Sequence, residues 1–142
     1  MLDNSTTAMT GHQPHPGTGV TMMDMVKKKD TNPKGEITHK ISIEAVLKAV
    51  GVVSVEKVNP FELDKAIDAV KRAAQMKGVK AIIFKSPCIA VNKPKKAYTV
   101  SEKCIKCKKC INEIGCPAVT NISLCFGCGL CSHICPVRAI EQ

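Results

Sequence analysis

Cys104-x2-Cys107-x2-Cys110-x5-Cys116-Pro117, followed by Cys125-x2-Cys128-x2-Cys131-x3-Cys135-Pro136, holds eight of the chain's nine cysteines. Three cysteines at x2 intervals can set three thiolates on three corners of an iron–sulfur cubane. A fourth cysteine followed by proline is held away from its own trio and ligates the other cluster. The rule assigns Cys104, Cys107, Cys110 and Cys135 to one [4Fe–4S] cluster, cluster 1. It assigns Cys125, Cys128, Cys131 and Cys116 to cluster 2. A structural zinc site usually joins two C-x2-C knuckles that lie far apart, and the third cysteine of each run has no use there. Disulfides would need an oxidising compartment. Residues 1–16 show neither the basic start nor the apolar stretch of a secretory signal, so the expected compartment is the cytoplasm. Cys88 stands alone after an apolar run and reads as a small buried hydrophobe.

At 142 residues the chain makes one domain or two small ones. No apolar stretch is long enough to span a membrane. Three Phe, one Tyr and no Trp leave little for a base-stacking nucleic-acid surface. The formal charge is +9 with every cysteine neutral. A [4Fe–4S] core in its oxidised state with four thiolates carries 2−, so two clusters lower this to roughly +5. Lys93, Lys95, Lys96, Lys103, Lys106, Lys108 and Lys109 crowd the first run. The sequence alone reads them as a solvated surface that offsets cluster charge.

Working back from the cysteines, the polar, proline-containing stretch 91–96 reads as a linker. Before it lies an α/β pattern. Ile43, Val46, Leu47 and Val50 follow helical spacing, with Ser42 as N-cap and Gly51 as stop. Residues 52–58 are rich in valine and predict a strand. Asn59-Pro60-Phe61-Glu62 predicts an N-cap, a first-turn proline and a capping-box glutamate. The helix so opened would place Leu63, Ile67, Val70 and Ala74 on one face and end at Gly78. Residues 80–85 predict a buried strand closing in Ser86-Pro87. Helix, strand, helix, strand implies parallel strands with right-handed crossovers. Residues 5–40 lack periodicity, and a loop that long is functional or disordered. Met1-Leu2-Asp3-Asn4 reads as a strand end with no element before it, so part of this sheet is expected from elsewhere.

Three features together carry a resemblance: residues 2–17 (Leu2-Asp3-Asn4-Ser5-Thr6-Thr7 through Gly17), the later Ser86-Pro87-Cys88, and the two cysteine runs. They resemble the C-terminal part of the large subunit of indolepyruvate:ferredoxin oxidoreductases. Those enzymes belong to the thiamine-diphosphate-dependent 2-oxoacid:ferredoxin oxidoreductase superfamily. The likeness covers almost the whole chain in order. The x5 interval before Cys116 fits those subunits better than simple bacterial ferredoxins, which have x3.

The resemblance implies an α/β partial thiamine-diphosphate-binding (PP-type) domain with parallel strands and crossover helices. A small α+β bacterial-ferredoxin-like domain would follow. On this reading residues 1–90 are the C-terminal part of the thiamine-diphosphate-binding domain. Residues 91–100 are linker and first ferredoxin strand, and 101–142 hold the two clusters. Asn4 would offer its side chain to the Mg2+ that bridges the thiamine diphosphate, and the backbone near Thr6 a second oxygen, donors that suit a hard cation. The Thr10-Gly11-His12-Gln13 loop would lie over the cofactor. The upstream Gly-Asp dipeptide of the family's motif is not in this sequence, nor is the glutamate that activates the aminopyrimidine.

The implied function is electron relay. Electrons from oxidative decarboxylation of an arylpyruvate would pass through two [4Fe–4S] clusters to ferredoxin. The implied partners are the rest of the large subunit, a smaller oxidoreductase subunit and ferredoxin, with no nucleic acid and no membrane. The alternative is a free-standing two-cluster electron carrier with a vestigial N-terminal domain. No residue reads as a general base. His12, His15 and His39 read as exposed loop residues, and His133 has no ligand role while four thiolates serve each cluster.

Overall fold

A computed structural model of the chain describes residues 1–7, 11, 13–20, 38–88, 92, 95–119 and 121–142. The chain divides into two compact units, Met1–Val91 and Asn92–Gln142. The second therefore takes in the strand just ahead of the first cysteine run.

The first unit contains β1 (Leu2–Asp3), α1 (Ile43–Ala49), β2 (Ser54–Val58), α2 (Leu63–Gln75) and β3 (Lys80–Lys85). Its three strands are all parallel, in the order β1-β3-β2. Parallel neighbours cannot be joined by a hairpin, so α2 serves as the crossover from β2 to β3. Register is set by Val58 and Leu2, which flank Phe84 from either side. The Met1 amine donates to the Ile82 carbonyl at 3.0 Å, extending the β1 ladder by one rung.

Helix α1 forms as its spacing predicts. The Ser42 hydroxyl accepts from the Ala45 amide at 3.2 Å, and Gly51 leaves the helix at φ +88. Helix α2 departs from expectation twice. Asn59 Oδ1 accepts from the Phe61 amide at 3.0 Å, forming a local turn, so the helix starts later, at Leu63. Glu62 sits at the N-cap without a side-chain cap and instead pairs with Lys65 one turn on. The helix also buries a different face. Ala66 and Ala69 are its buried residues, while Ile67 and Val70 are 42% and 48% exposed. Small alanines let the helix approach the sheet closely. Of the predicted apolar stripe, Ile67, Val70 and Ala74 therefore face outward, and Leu63 is half-buried. Strand β3 is less buried than its apolar run predicts: Ile83 is buried, whereas Lys80 and Lys85 are exposed.

The second unit contains β4 (Thr99–Val100), α3 (Lys109–Ile114), α4 (Leu130–Ile134) and β5 (Ile140–Glu141). Two 3-10 turns lie between the helices at Pro117–Val119 and Ile122–Leu124. Strands β4 and β5 pair antiparallel, Val100 opposite Ile140. Among the described residues the buried apolar ones here are Ala118, Ala139 and Ile140. That is too little apolar surface to fold so short a segment unaided.

Candidate functional site

Each cysteine run leads straight into a short helix. Cys110 lies in α3 and Cys131 in α4, and each helix opens on a left-handed residue, Lys108 and Gly129. The fourth cysteine follows each helix. Helix α3 has six residues and exits through Gly115 at φ +61, whereas α4 has five and ends on Cys135 itself. The x5 interval before Cys116 is thus a slightly longer helix plus a left-handed exit.

Two cavities lie among these elements. One, of about 590 Å³, is lined by Cys116, Cys125, Cys128 and Cys131, with Cys110 also on its wall. The other, of about 50 Å³, is lined by Cys104, Cys107, Cys110 and Cys135. Each cavity therefore gathers one trio and the fourth cysteine of the opposite run. Apolar residues make up most of the remaining walls, Ile114, Ile122, Leu124 and Leu130 in the larger, Ile105, Val137 and Ile140 in the smaller, where Lys108 and Lys109 also line the wall. No carboxylate or imidazole lines either one.

This donor set fits iron–sulfur cubanes, which take thiolates alone. Among the described residues no three His, Cys, Asp or Glu side chains converge on a single-ion position. Burial pushes the Cys131 thiol up; the Ser132 amide opposes this, and the nearby Cys128 and Cys116 add to the rise. A positive core would reverse that balance and ionise the thiols. In the smaller cavity the Ala139 amide donates to Cys135 Sγ at 3.2 Å. Such a bond stabilises a thiolate and tunes a cluster's potential.

In the first unit the segments that carry the resemblance lie side by side. The Ser86 amide donates to the Asp3 carbonyl at 3.1 Å, and the Cys88 amide to the Asn4 carbonyl at 3.0 Å. Cys88 is half-buried rather than buried, and this backbone bond gives it a place in the loop. Asp3 is clamped at both oxygens, Oδ1 by the Ser5 amide at 2.9 Å and Oδ2 by Lys85 Nζ at 2.8 Å. Those contacts, Lys85 foremost, hold its carboxyl below the usual range. Asn4 Oδ1 accepts from the Thr6 amide at 3.2 Å. This turn brings the two residues named for the cofactor together, and the amide oxygen keeps a second lone pair.

The histidines behave differently from one another. His15 is half-buried, not exposed: its Nδ1 accepts from the Gly17 amide at 3.1 Å, and its carbonyl accepts from the Thr18 hydroxyl at 2.7 Å. His39 and His133 are exposed. His12 and Thr10 lie outside the described residues. Sequence reasoning missed Lys85 and the Ala139 amide. The first is a partner across a sheet from a residue far away in the chain, and the second is backbone.

Comparison with known families agrees with this geometry. Residues 1–84 match the thiamine pyrophosphate enzyme C-terminal TPP-binding domain. Residues 101–119 and 118–141 each match a 4Fe-4S binding domain. The chain belongs to the thiamine pyrophosphate enzyme family. It joins a thiamine-pyrophosphate-binding α/β domain to a ferredoxin-like region with two 4Fe-4S segments. It is 38% identical to the indolepyruvate oxidoreductase subunit IorA of Archaeoglobus fulgidus, covering 99% of this chain and 23% of that protein. The IorA subunit of Thermococcus kodakarensis is 33% identical over the same shares. The pyruvate synthase subunit PorD of Thermotoga maritima is 43% identical over 29% of this chain and 50% of its own length. The chain spans under a quarter of the length of the IorA relatives it matches. No solved structure matches at comparable significance. Among the described residues no helix is long and apolar enough to cross a membrane.

Proposed function

We propose that this chain is the electron-relay part of an indolepyruvate (arylpyruvate):ferredoxin oxidoreductase. The observation that carries the reading is the pair of cavities, each gathering a trio of cysteines with the fourth cysteine of the opposite run. Cys104, Cys107, Cys110 and Cys135 hold cluster 1; Cys125, Cys128, Cys131 and Cys116 hold cluster 2. A bound cubane accepts and releases one electron at a time. The protein's part is to fix the thiolates and exclude water with an apolar wall. It also sets potential through bonds such as Ala139 N–H to Cys135 Sγ.

The first unit supplies one edge of a thiamine-diphosphate site in a PP-type domain. Asn4 Oδ1, which accepts from the Thr6 amide, and the Thr6 backbone would hold its Mg2+, and Lys85 holds the carboxylate of Asp3, the residue before Asn4. The remaining portion of the large subunit completes that domain. Outward-facing Ile67 and Val70, and Leu2 at 86% exposure on the edge strand, are the surfaces left for it. A smaller oxidoreductase subunit and ferredoxin are the other partners. Eight thiols kept for metal suit a reducing cytoplasm. Residues 1–90, 91–100 and 101–142 then serve as cofactor edge, linker with first strand, and two-cluster domain.

Anaerobic reconstitution should load about eight iron and eight sulfide per chain. Mixed with the remaining large-subunit portion and the smaller subunit, the loaded chain should support indolepyruvate-dependent dye reduction. Stoichiometric zinc without sulfide would refute the cluster assignment. Full dye reduction by the mixture lacking this chain would refute the relay.

A further inference from the structure

The two cysteine runs are copies of one loop, and they differ at matching backbone positions. Between Cys125 and Cys131 the left-handed positions are Gly127 and Gly129, at φ +73 and +83, and both are buried. Residues 95–98 lie across them. A Cβ on Gly127 would stand 2.7 Å from Lys95 Cβ and from the Lys96 carbonyl oxygen; one on Gly129 would stand 3.0 Å from the Tyr98 hydroxyl. Between Cys104 and Cys110 the same two positions are Lys106 and Lys108, at φ 53 and 58, and both are exposed. Arg138, three residues after Cys135, is also exposed, at φ 50. Among the described residues of the second unit, these three cations are the non-glycine residues at positive φ.

Glycine would hold each position without the Cβ crowding that makes this region costly for a side chain. Local conformation therefore does not account for the cations. Charge compensation accounts for Lys108, which lines the smaller cavity with Lys109, but not for Lys106 or Arg138, which line neither cavity. Lys103 and Lys109 stand on ordinary backbone beside the same cysteines. Those two make long ion pairs, Lys103 with Glu141 at 3.8 Å and Lys109 with Glu113 at 3.6 Å. Lys106, Lys108 and Arg138 have no ion-pair partner among the described residues. The cysteines agree with the same asymmetry. Cys104 and Cys107 are exposed, while Cys116, Cys125, Cys128 and Cys131 are half-buried. Exposed apolar residues adjoin the cations in the chain: Ile105, before Lys106, is 61% exposed and Val137, before Arg138, 36%.

Resting on the relay reading, we infer that the face carrying Lys106, Lys108 and Arg138 docks a small acidic protein that carries one electron. Cluster 1 is the exit and cluster 2 the inner station. The unpaired cations steer an anionic partner and set its orientation, and Ile105 with Val137 give the dry contact a protein interface needs. A phosphate ladder would have no use for that apolar contact, and the second unit offers few aromatics for bases to stack on. Each encounter moves one electron and no atoms, the donor oxidised by one and the carrier reduced by one.

The test titrates an oxidised, acidic bacterial two-cluster ferredoxin into the oxidised, reconstituted 142-residue chain by calorimetry, at about 20 mM and about 300 mM salt. The triple variant K106G/K108G/R138G should keep its iron and sulfide yet bind roughly tenfold more weakly at low salt, with a flatter salt dependence. Should the glycine variant lose iron, K106Q/K108Q/R138Q removes the charge with the side-chain stems kept, and the same weakening is expected. Equal affinity and equal salt dependence in a variant with both clusters would overturn the docking surface alone. Tighter binding of a short single-stranded RNA than of the ferredoxin would also overturn it. A chain that takes up no iron and sulfide would overturn the relay reading and this surface with it.

Discussion

Cys116 and Cys131 face one cavity although they belong to different cysteine runs. Cys116 is close enough to Cys131 to help raise its thiol pKa. The interlocked ligand pattern we propose is open to test. Cys116→Ala should damage cluster 2, turning it to a three-iron or lost species, while cluster 1 persists. Cys135→Ala should do the reverse. Iron analysis with low-temperature electron paramagnetic resonance on both variants distinguishes the clusters. Loss of cluster 1 in Cys116→Ala would contradict the crossed assignment.

The glycines and lysines at matching loop positions should respond in opposite directions to substitution. Gly127→Ala adds a Cβ at φ +73, 2.7 Å from backbone oxygen of Lys96. We expect a loss of about 2 kcal/mol or more, seen as lower cluster 2 retention in denaturant. Lys106→Gly relieves a side chain at φ 53. It should stay within about 1 kcal/mol of the parent, on the stabilised side. Equal destabilisation by both changes would show that the loops are not backbone equivalents.

The cluster region was legible because iron–sulfur ligation is encoded in spacing, and spacing survives folding. Helix α1 was legible for the same reason, since Ser42 and Gly51 act within one turn of their own position. Helix α2 was read on the wrong face because periodicity cannot rank two apolar faces. Ala66 and Ala69 won the sheet since small residues allow close approach, and Ile67 and Val70 were left outward. The Asn59-Pro60 start failed because Asn59 found a nearer partner in the Phe61 amide. The Asp3–Lys85 pair spans almost the whole first unit, and no local pattern announces such a contact.

That pair makes a pH prediction. Asp3 has its carboxyl lowered chiefly by Lys85, so its contribution to stability is present above the unfolded carboxyl's pKa. It is lost as pH falls through the lower folded value. Asp3 is 15% exposed but Lys85 is 45% exposed, so solvent screens the pair and the contribution is about 0.5–1 kcal/mol. Asp3→Asn should cost that much in urea unfolding of the first unit near neutral pH. The gap should close at acid pH, once Asp3 is protonated in both states. A gap that persists there would mean that shape, not charge, sets the role of Asp3.

Removing iron should unfold the second unit and spare the first. Among its described residues Ala118, Ala139 and Ile140 are the buried apolar ones, and β4 pairs β5 over two residues each. Against them stands the conformational entropy of about fifty residues, roughly 1–2 kcal/mol apiece for the backbone alone. Metal–thiolate bonding is the term large enough to close that gap, as in other small metal-built domains. Chelation under reducing conditions should therefore make residues 97–142 protease-sensitive. The α/β unit keeps its parallel ladder, with Ile83 buried at the centre, and should resist longer. Limited proteolysis with mass mapping, with and without chelator, reads both halves in one experiment. Protection of the cysteine region after complete iron loss would show that its scaffold is the polypeptide and not the clusters.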